Sequence, residues 1–241
     1  MIENKREKAI NLMGEHQFNK AIPIFIELIQ IDSNDIDLFT MLGNCYEIIG
    51  SYDKAEEALL IAKNLINKST LQRQIVAIYF SLGLCYQKTE KFSNAINYFE
   101  GILEIQPNHF NSRNSLGLTN KKMGNFDEAL ENYFECHRIL NYKAIFNVFG
   151  KMPSLEEASG FKILLKIGKE ADQGVHEDIK TELRSNIMFS NILNNIATIY
   201  FEWGILDTAQ EIFETSIKYI PKGSDYTDPI KQLSNLKKIK S

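Results

Sequence analysis

The chain has 241 residues, 44% hydrophobic and 24% charged, with a formal net charge of −4. That composition excludes a disordered chain, and the acidic balance argues against nucleic acid, whose phosphates call for clustered Lys and Arg. No run approaches the roughly 20 apolar residues that span a bilayer, and the charged stretch Met1 to Lys8 has no signal-peptide core, so a cytoplasmic protein is expected (periplasmic if a leader had been removed).

From the N-terminus onward one pattern returns five times. Ala21, Ala55, Ala95, Ala129 and Ala209 mark it, the first two 34 residues apart and Ala95 and Ala129 again 34 apart. Four residues after each stands Phe25, Leu59, Phe99, Tyr133 or Phe213. Nine residues before stands Leu12, Tyr46, Tyr86, Asn120 or Tyr200, and twelve before stands Ala9, Gly43, Gly83, Gly117 or Ala197. Small residues let two helices approach, and large ones fill the space between them. The pattern marks five units, over residues 2–35, 36–69, 76–109, 110–143 and 190–223, and Pro107 and Pro221 stand at unit ends, where they cannot continue a helix.

Between these units the period breaks. In residues 70–75, Ser69 with Gln72 has the spacing of a capping box, which predicts an early start and about two extra turns for the next helix. The 110–143 unit has Arg113 and Asn120 where aromatics stand elsewhere, so its first helix is expected to be among the weaker ones. Residues 144–189 read either as a degenerate repeat or as a helical insertion. They hold an apolar patch at Ile145, Phe146 and Phe149, and Ser154 with Glu157 predicts a helix to about Glu170. The pattern Val175, Ile179, Leu183, Ile187 predicts a helix running straight into the fifth unit. Over 224–241, Asp228-Pro229 reads as N-cap and first helical residue of a capping helix, with Ile230, Leu233, Leu236 and Ile239 on one side and lysines on the other.

These motifs, as in LGNCYEIIGSYDKAEEALLIA and IATIYFEWGILDTAQEIFETSIKYIP, resemble the tetratricopeptide repeat. The resemblance implies an all-α, right-handed superhelical solenoid of antiparallel helix pairs, whose first helices line a concave groove that binds a protein or an extended peptide. By that resemblance the groove is lined by Met41 and Asn44, by Phe80, Leu84, Gln87 and Lys88, by Asn111, Asn114, Leu118, Lys121 and Lys122, and by Asn191, Asn194, Asn195, Phe201 and Glu202. Asparagine offers both donor and acceptor to a peptide backbone, so the recurring Asn suggests a sequence-tolerant ladder; the alternative is a composition rich in Asn on every wet surface. Acidic residues Glu3, Glu7, Asp37 and Glu47 lie against Arg6 at one end, and Lys88, Lys121 and Lys122 lie in the middle, a layout that could orient a partner. The class that clamps chaperone C-terminal tails uses Lys, Asn, Asn, Lys and Arg across three successive units; the first three units here have Arg6, Ile10, Met41, Ala77 and Ser81 at those positions, and units two to four have Thr40, Asn44, Ser81, Asn111 and Ser115, so without the basic set such a tail is not expected as partner.

No catalytic constellation, cofactor motif or metal site is read. His16, His109, His137 and His176 are scattered, and Cys45, Cys85 and Cys136 fall in small core slots, as free thiols would. The expected function is therefore that of a non-catalytic adaptor or scaffold. The alternative is a structural subunit of a larger membrane-associated, motility or secretion assembly, working through its convex face or the 144–149 patch, with homo-oligomerisation as one form of it.

Overall fold

A computed structural model describes residues 2–149 and 177–240; the side chains at 145, 146, 148, 149 and 177 are outside the description. Among the described residues there are twelve helices and no strand. They are α1 Ile2–Gly14, α2 Phe18–Ile31, α3 Ile36–Ile48, α4 Tyr52–Asn64, α5 Gln72–Lys88, α6 Phe92–Ile105, α7 Phe110–Met123, α8 Phe126–Phe149, α9 Glu177–Arg184, α10 Ile187–Glu202, α11 Leu206–Lys218 and α12 Asp228–Lys240. The chain is an all-α array of antiparallel helix pairs. It forms two compact units, Met1–Thr119 and Asn120–Ser241, with α7 starting in the first and ending in the second.

One turn joins the two helices of every pair. His16, Gly50, Glu90, Gly124 and Gly204 all have positive φ, between 58° and 81°. The residue after each donates its backbone N–H back to the carbonyl of Leu12, Tyr46, Tyr86, Asn120 or Tyr200, at 2.8 to 2.9 Å. A second bond runs from the positive-φ residue to Met13, Glu47, Gln87, Lys121 or Phe201. This is a Schellman cap, which satisfies the last carbonyls of the first helix and reverses the chain in three residues. Glycine reaches that conformation freely, whereas a side chain is strained by its Cβ. Two of the five turns, at His16 and Glu90, carry that strain.

Within the first unit α1 to α6 each pack on their neighbours in that series. Phe25, Leu28, Leu38, Leu42 and Cys45 form one core cluster, and Phe39, Leu59, Ile78, Leu82, Tyr86, Phe99 and Leu116 form the next. Two glycines set the spacing inside pairs. A Cβ on Gly43 would lie 2.5 Å from Leu59 Cγ, and one on Gly83 would lie 2.5 Å from Phe99 Cε1. The second unit buries Tyr133, Ile179, Leu183, Ile192, Leu193, Phe213 and Leu236. There, α8 packs on α9 and α10, and α11 packs on α10 and α12. Ser190 and Ser216 exchange reciprocal hydroxyl-to-carbonyl bonds of 2.9 and 2.8 Å, tying the start of α10 to the end of α11.

Three local expectations are corrected. α5 starts at Gln72, capped by Leu71, whose N–H donates to Gln74 Oε1 at 3.1 Å, while Ser69 turns back to Asn67. Leucine has no acceptor to offer, so this is half a capping box, and α5 is one turn longer than its counterparts rather than two. The helix expected to run through 175–187 breaks, because Asn186 accepts from Met188 N at 3.0 Å and starts α10 afresh. In α12, Pro229 and Leu236 are buried but Ile230 and Ile239 are 48% and 62% exposed, so its apolar side is not one inward stripe. Its N-terminus also shifts by one: Thr227 carbonyl takes the first helical bond, from Lys231. The helix expected from Ser154 and Glu157 lies outside the described residues.

His137 on α8 is 3% exposed and stacks on Phe189 at 5.1 Å. Burial pushes its pKa down to about 4. Stability from this site is intact above the ordinary histidine pKa of about 6.5 and is lost as the pH falls towards 4, because only the unfolded chain takes up the proton readily.

These contacts set two expected outcomes. Gly83→Ala lowers stability by about 1–3 kcal/mol, since Phe99 has no room to retreat, while Glu90→Gly raises it by about 0.5–1 kcal/mol; urea unfolding midpoints moving in the same direction would refute the packing account. Between pH 7 and pH 5 the His137 site costs about 2 kcal/mol, so His137→Leu flattens the pH dependence of unfolding, and a parallel loss in wild type and variant would refute it.

Candidate functional site

The 3.6-residue helical period places positions three or four apart on one stripe. On α3 and α5 this stripe carries Met41 and Asn44, then Phe80, Leu84 and Lys88. Met41 is half-buried against the first core cluster, and Phe80 and Leu84 are half-buried against the second. The Phe80 ring meets Phe99 and His109, each at 5.8 Å between centroids. His109 in turn caps α7, its Nδ1 lying 3.3 Å from the Ser112 N–H that donates to it and 2.8 Å from Ser112 Oγ. The α7 face adds exposed Asn111 and half-buried Asn114 and Leu118.

A seam of polar bonds joins successive first helices. Arg6 Nη1 donates to Asp35 Oδ2 at 2.6 Å. Gln74 Nε2 donates to Asp37 Oδ1 at 2.9 Å, and Ser81 Oγ to Asn44 Oδ1 at 2.6 Å. Gln87 Nε2 reaches Thr119 Oγ1 at 2.6 Å and the Ser115 carbonyl at 3.1 Å. Gln87 is therefore a buried strut between α5 and α7 and no part of an open groove. Asn44 is likewise committed to its neighbour. Arg6 is taken up by Asp35, with Asp37 at 3.8 Å, while Glu3 and Glu7 stay exposed. Burial raises the Glu47 pKa, partly offset by the charge of Lys88.

In the second unit the corresponding faces are the last turn of α7 and the length of α10. Lys121 Nζ donates to Asn195 Oδ1 at 2.9 Å, and Asn195 Nδ2 donates to Asn191 Oδ1 at 3.0 Å. Burial lowers the Lys121 pKa, opposed by the charge of Glu202. Asn194 Oδ1 is buried with no hydrogen-bond partner among the described residues, and Phe201 is half-buried. Lys122 and Glu202 are exposed. The patch expected at Ile145, Phe146 and Phe149 falls on the last turn of α8, with its side chains outside the described residues.

An apolar edge went unread in the sequence. Met123, Trp203 and Ile205 are 42%, 40% and 44% exposed, and the Trp203 indole is met edge-on by Phe126 at 6.2 Å and Tyr200 at 5.8 Å. The chain's single tryptophan was the available signal. Cys45, Cys85 and Cys136 are buried, and burial pushes the Cys45 and Cys85 thiols up to about 11, away from reactive thiolate. Among the described residues no helix is long and apolar enough to cross a membrane. The first-helix faces offer hydrogen-bond donors, acceptors and apolar surface, which is binding chemistry.

Comparison with known proteins places this geometry. A family profile described as the tetratricopeptide repeat matches residues 76–109 and 190–222. The TPR repeat-containing protein MJ1428 of Methanocaldococcus jannaschii is 26% identical over 125 residues, covering 52% of this chain and 21% of that protein. The chain spans a quarter or less of the length of the curated relatives it matches. A crystal structure of MamA superposes with a TM-score of 0.60 at 18% identity, covering 88% of this chain and 93% of that one. The crystal structure of YrrB, described as a TPR protein with an unusual peptide-binding site, superposes with a TM-score of 0.59 at 15% identity, covering 94% and 88%. At such identities the likeness establishes the fold alone.

Proposed function

Because this chain is a tetratricopeptide-repeat protein, we propose that it is a non-catalytic adaptor of the cytoplasm that holds a segment of another protein along its first-helix faces. The observation that carries this reading is the α3–α5–α7 face of the first unit. There, half-buried Met41, Phe80, Leu84 and Leu118 sit beside Asn111, Asn114 and Lys88. Apolar side chains anchored on one side by the core and open on the other are preorganised contact points, and rigid anchors lose little entropy on binding. Asn114 makes no side-chain bond to a described residue, so both its donor and its acceptor are open to a peptide backbone. The peptide-binding site described for YrrB is consistent with this use of the fold.

A second reading, that of a structural subunit in a larger assembly, draws on the apolar edge at Met123, Trp203 and Ile205. Exposed apolar surface of this kind marks contact sites.

The first reading is tested by affinity purification from the native cell with wild-type bait beside Asn114→Ala/Lys88→Glu, two changes at positions outside the core. A partner lost from the variant supports it; an equal yield from a folded variant overturns it. The second is tested with the single tryptophan. Burial of Trp203 in a self-contact shifts its emission to shorter wavelength as concentration rises, together with a rise in mass by light scattering. Constant emission and monomer mass leave this edge without a role in self-association.

A further inference from the structure

At one end of the second unit, exposed apolar side chains gather with lysines. Met123 and Trp203 each stand just before a left-handed turn glycine, Gly124 or Gly204, at the tips where first helices end. Ile205 follows the second of these turns. α12 brings a fourth side chain to the same place. Lys240 Nζ donates to Asp207 Oδ1 at 2.6 Å and to Gln210 Oε1 at 2.9 Å, which holds the last turn of α12 against the start of α11. Ile239 lies in that last turn and is exposed. The sequence of α12 has a basic, partly apolar end but no aromatic residue; the fold supplies one from the α10–α11 turn.

The chemistry of this end suits a bilayer surface. The Trp203 indole is open on one side, and its N–H donates to no described residue. A ring with an apolar body and a polar edge settles at the headgroup level of a membrane. Lys122 and Lys237 are exposed beside it, with Lys238 and Lys240 in the same turn as Ile239, whereas the one acid of α12, Asp228, lies at the helix's other end. Two nearby acids are engaged, Asp207 by Lys240 and Glu202 by the charge of Lys121. Asp127 and Glu128 in the first turn of α8 remain as a counterweight, so charge alone gives a modest attraction and apolar insertion must add to it. A protein partner needs a surface shaped to these tips, whereas lipid admits projecting side chains of any outline.

We propose that this end of the second unit is a peripheral membrane-contact site, whose occupant is the surface of a bilayer rich in anionic lipid. It gives the edge at Met123, Trp203 and Ile205 a different occupant from the second reading above, and it stands independently of the first-helix faces.

The test is flotation of the intact chain with vesicles of phosphatidylcholine alone, or of equal parts phosphatidylcholine and phosphatidylglycerol, with Trp203 emission followed at one protein concentration. The chain is expected to float with the mixed vesicles and not with phosphatidylcholine alone, and the emission to move to shorter wavelength. Lys122→Glu/Lys237→Glu should lower the partition coefficient at least about tenfold, given the strength of a lysine near an anionic surface, and Trp203→Ser should lower it several-fold. Lys20→Glu/Lys68→Glu, the same charge change at exposed positions of the first unit, should leave it nearly unchanged, with thermal melts confirming that all variants fold. No flotation, flotation without an emission shift, equal binding to phosphatidylcholine alone, or an equal loss in the first-unit variant overturns the site. Emission that instead shifts with protein concentration in the absence of vesicles, with no flotation, overturns it in favour of a second copy of the chain.

Discussion

The helix pairs depend on a missing atom. Where α3 crosses α4 and α5 crosses α6, Gly43 and Gly83 leave the space that Leu59 and Phe99 occupy, and a methyl group there would overlap them by more than either could yield. The cost is backbone entropy and weak helix propensity in the middle of each first helix. The gain is a large side chain fully buried against bare backbone. Ala9 with Phe25 and Ala197 with Phe213 use the same positions in the outer repeats, where all four side chains are buried. Once that distance is set, the turn has little freedom, and all five repeats close it with the same cap and the same left-handed residue.

Stacking of one pair on the next rests on a second device. Buried apolar clusters join neighbouring repeats, but the polar seam Arg6–Asp35, Asp37–Gln74, Asn44–Ser81 and Gln87–Thr119 sets which residue faces which along the first helices. Hydrophobic contact tolerates sliding, whereas a short hydrogen bond in a half-buried place does not. The seam also divides labour on the face that the proposed function uses. Side chains committed to a neighbouring helix hold the face in shape, whereas Asn114 and Lys88 make no side-chain hydrogen bond to a described residue.

The repeat was legible because it is written in residue size. Small and large residues recur at fixed spacing, and packing reads size directly, so helix pairs followed from Ala9, Gly43, Gly83 and their partners. Helix starts were less legible. Ser69 with Gln72 has capping-box spacing, yet Asn67 takes the Ser69 hydroxyl and the helix begins at Gln72. The break at Asn186 was hidden by an apolar period that continues through it, since burial of Ile179 and Leu183 is compatible with either one helix or two. Gln87 looked like a groove residue because its position alone says only that it lies on the first helix; its reach to Ser115 and Thr119 is what buries it.

By itself the sequence determined the class of fold, the phase of the repeats and the absence of a long apolar span, because each depends on local size and periodicity. Tertiary structure alone decided which polar groups remain open. Asn44, Asn195 and Asn114 are the same residue type on equivalent helices, yet one is bound to Ser81, one to Lys121, and one makes no such bond to a described residue. The difference comes from the identity of the residue that the neighbouring helix brings within about 3 Å, and helix-to-helix placement of that kind is a property of the packed repeats.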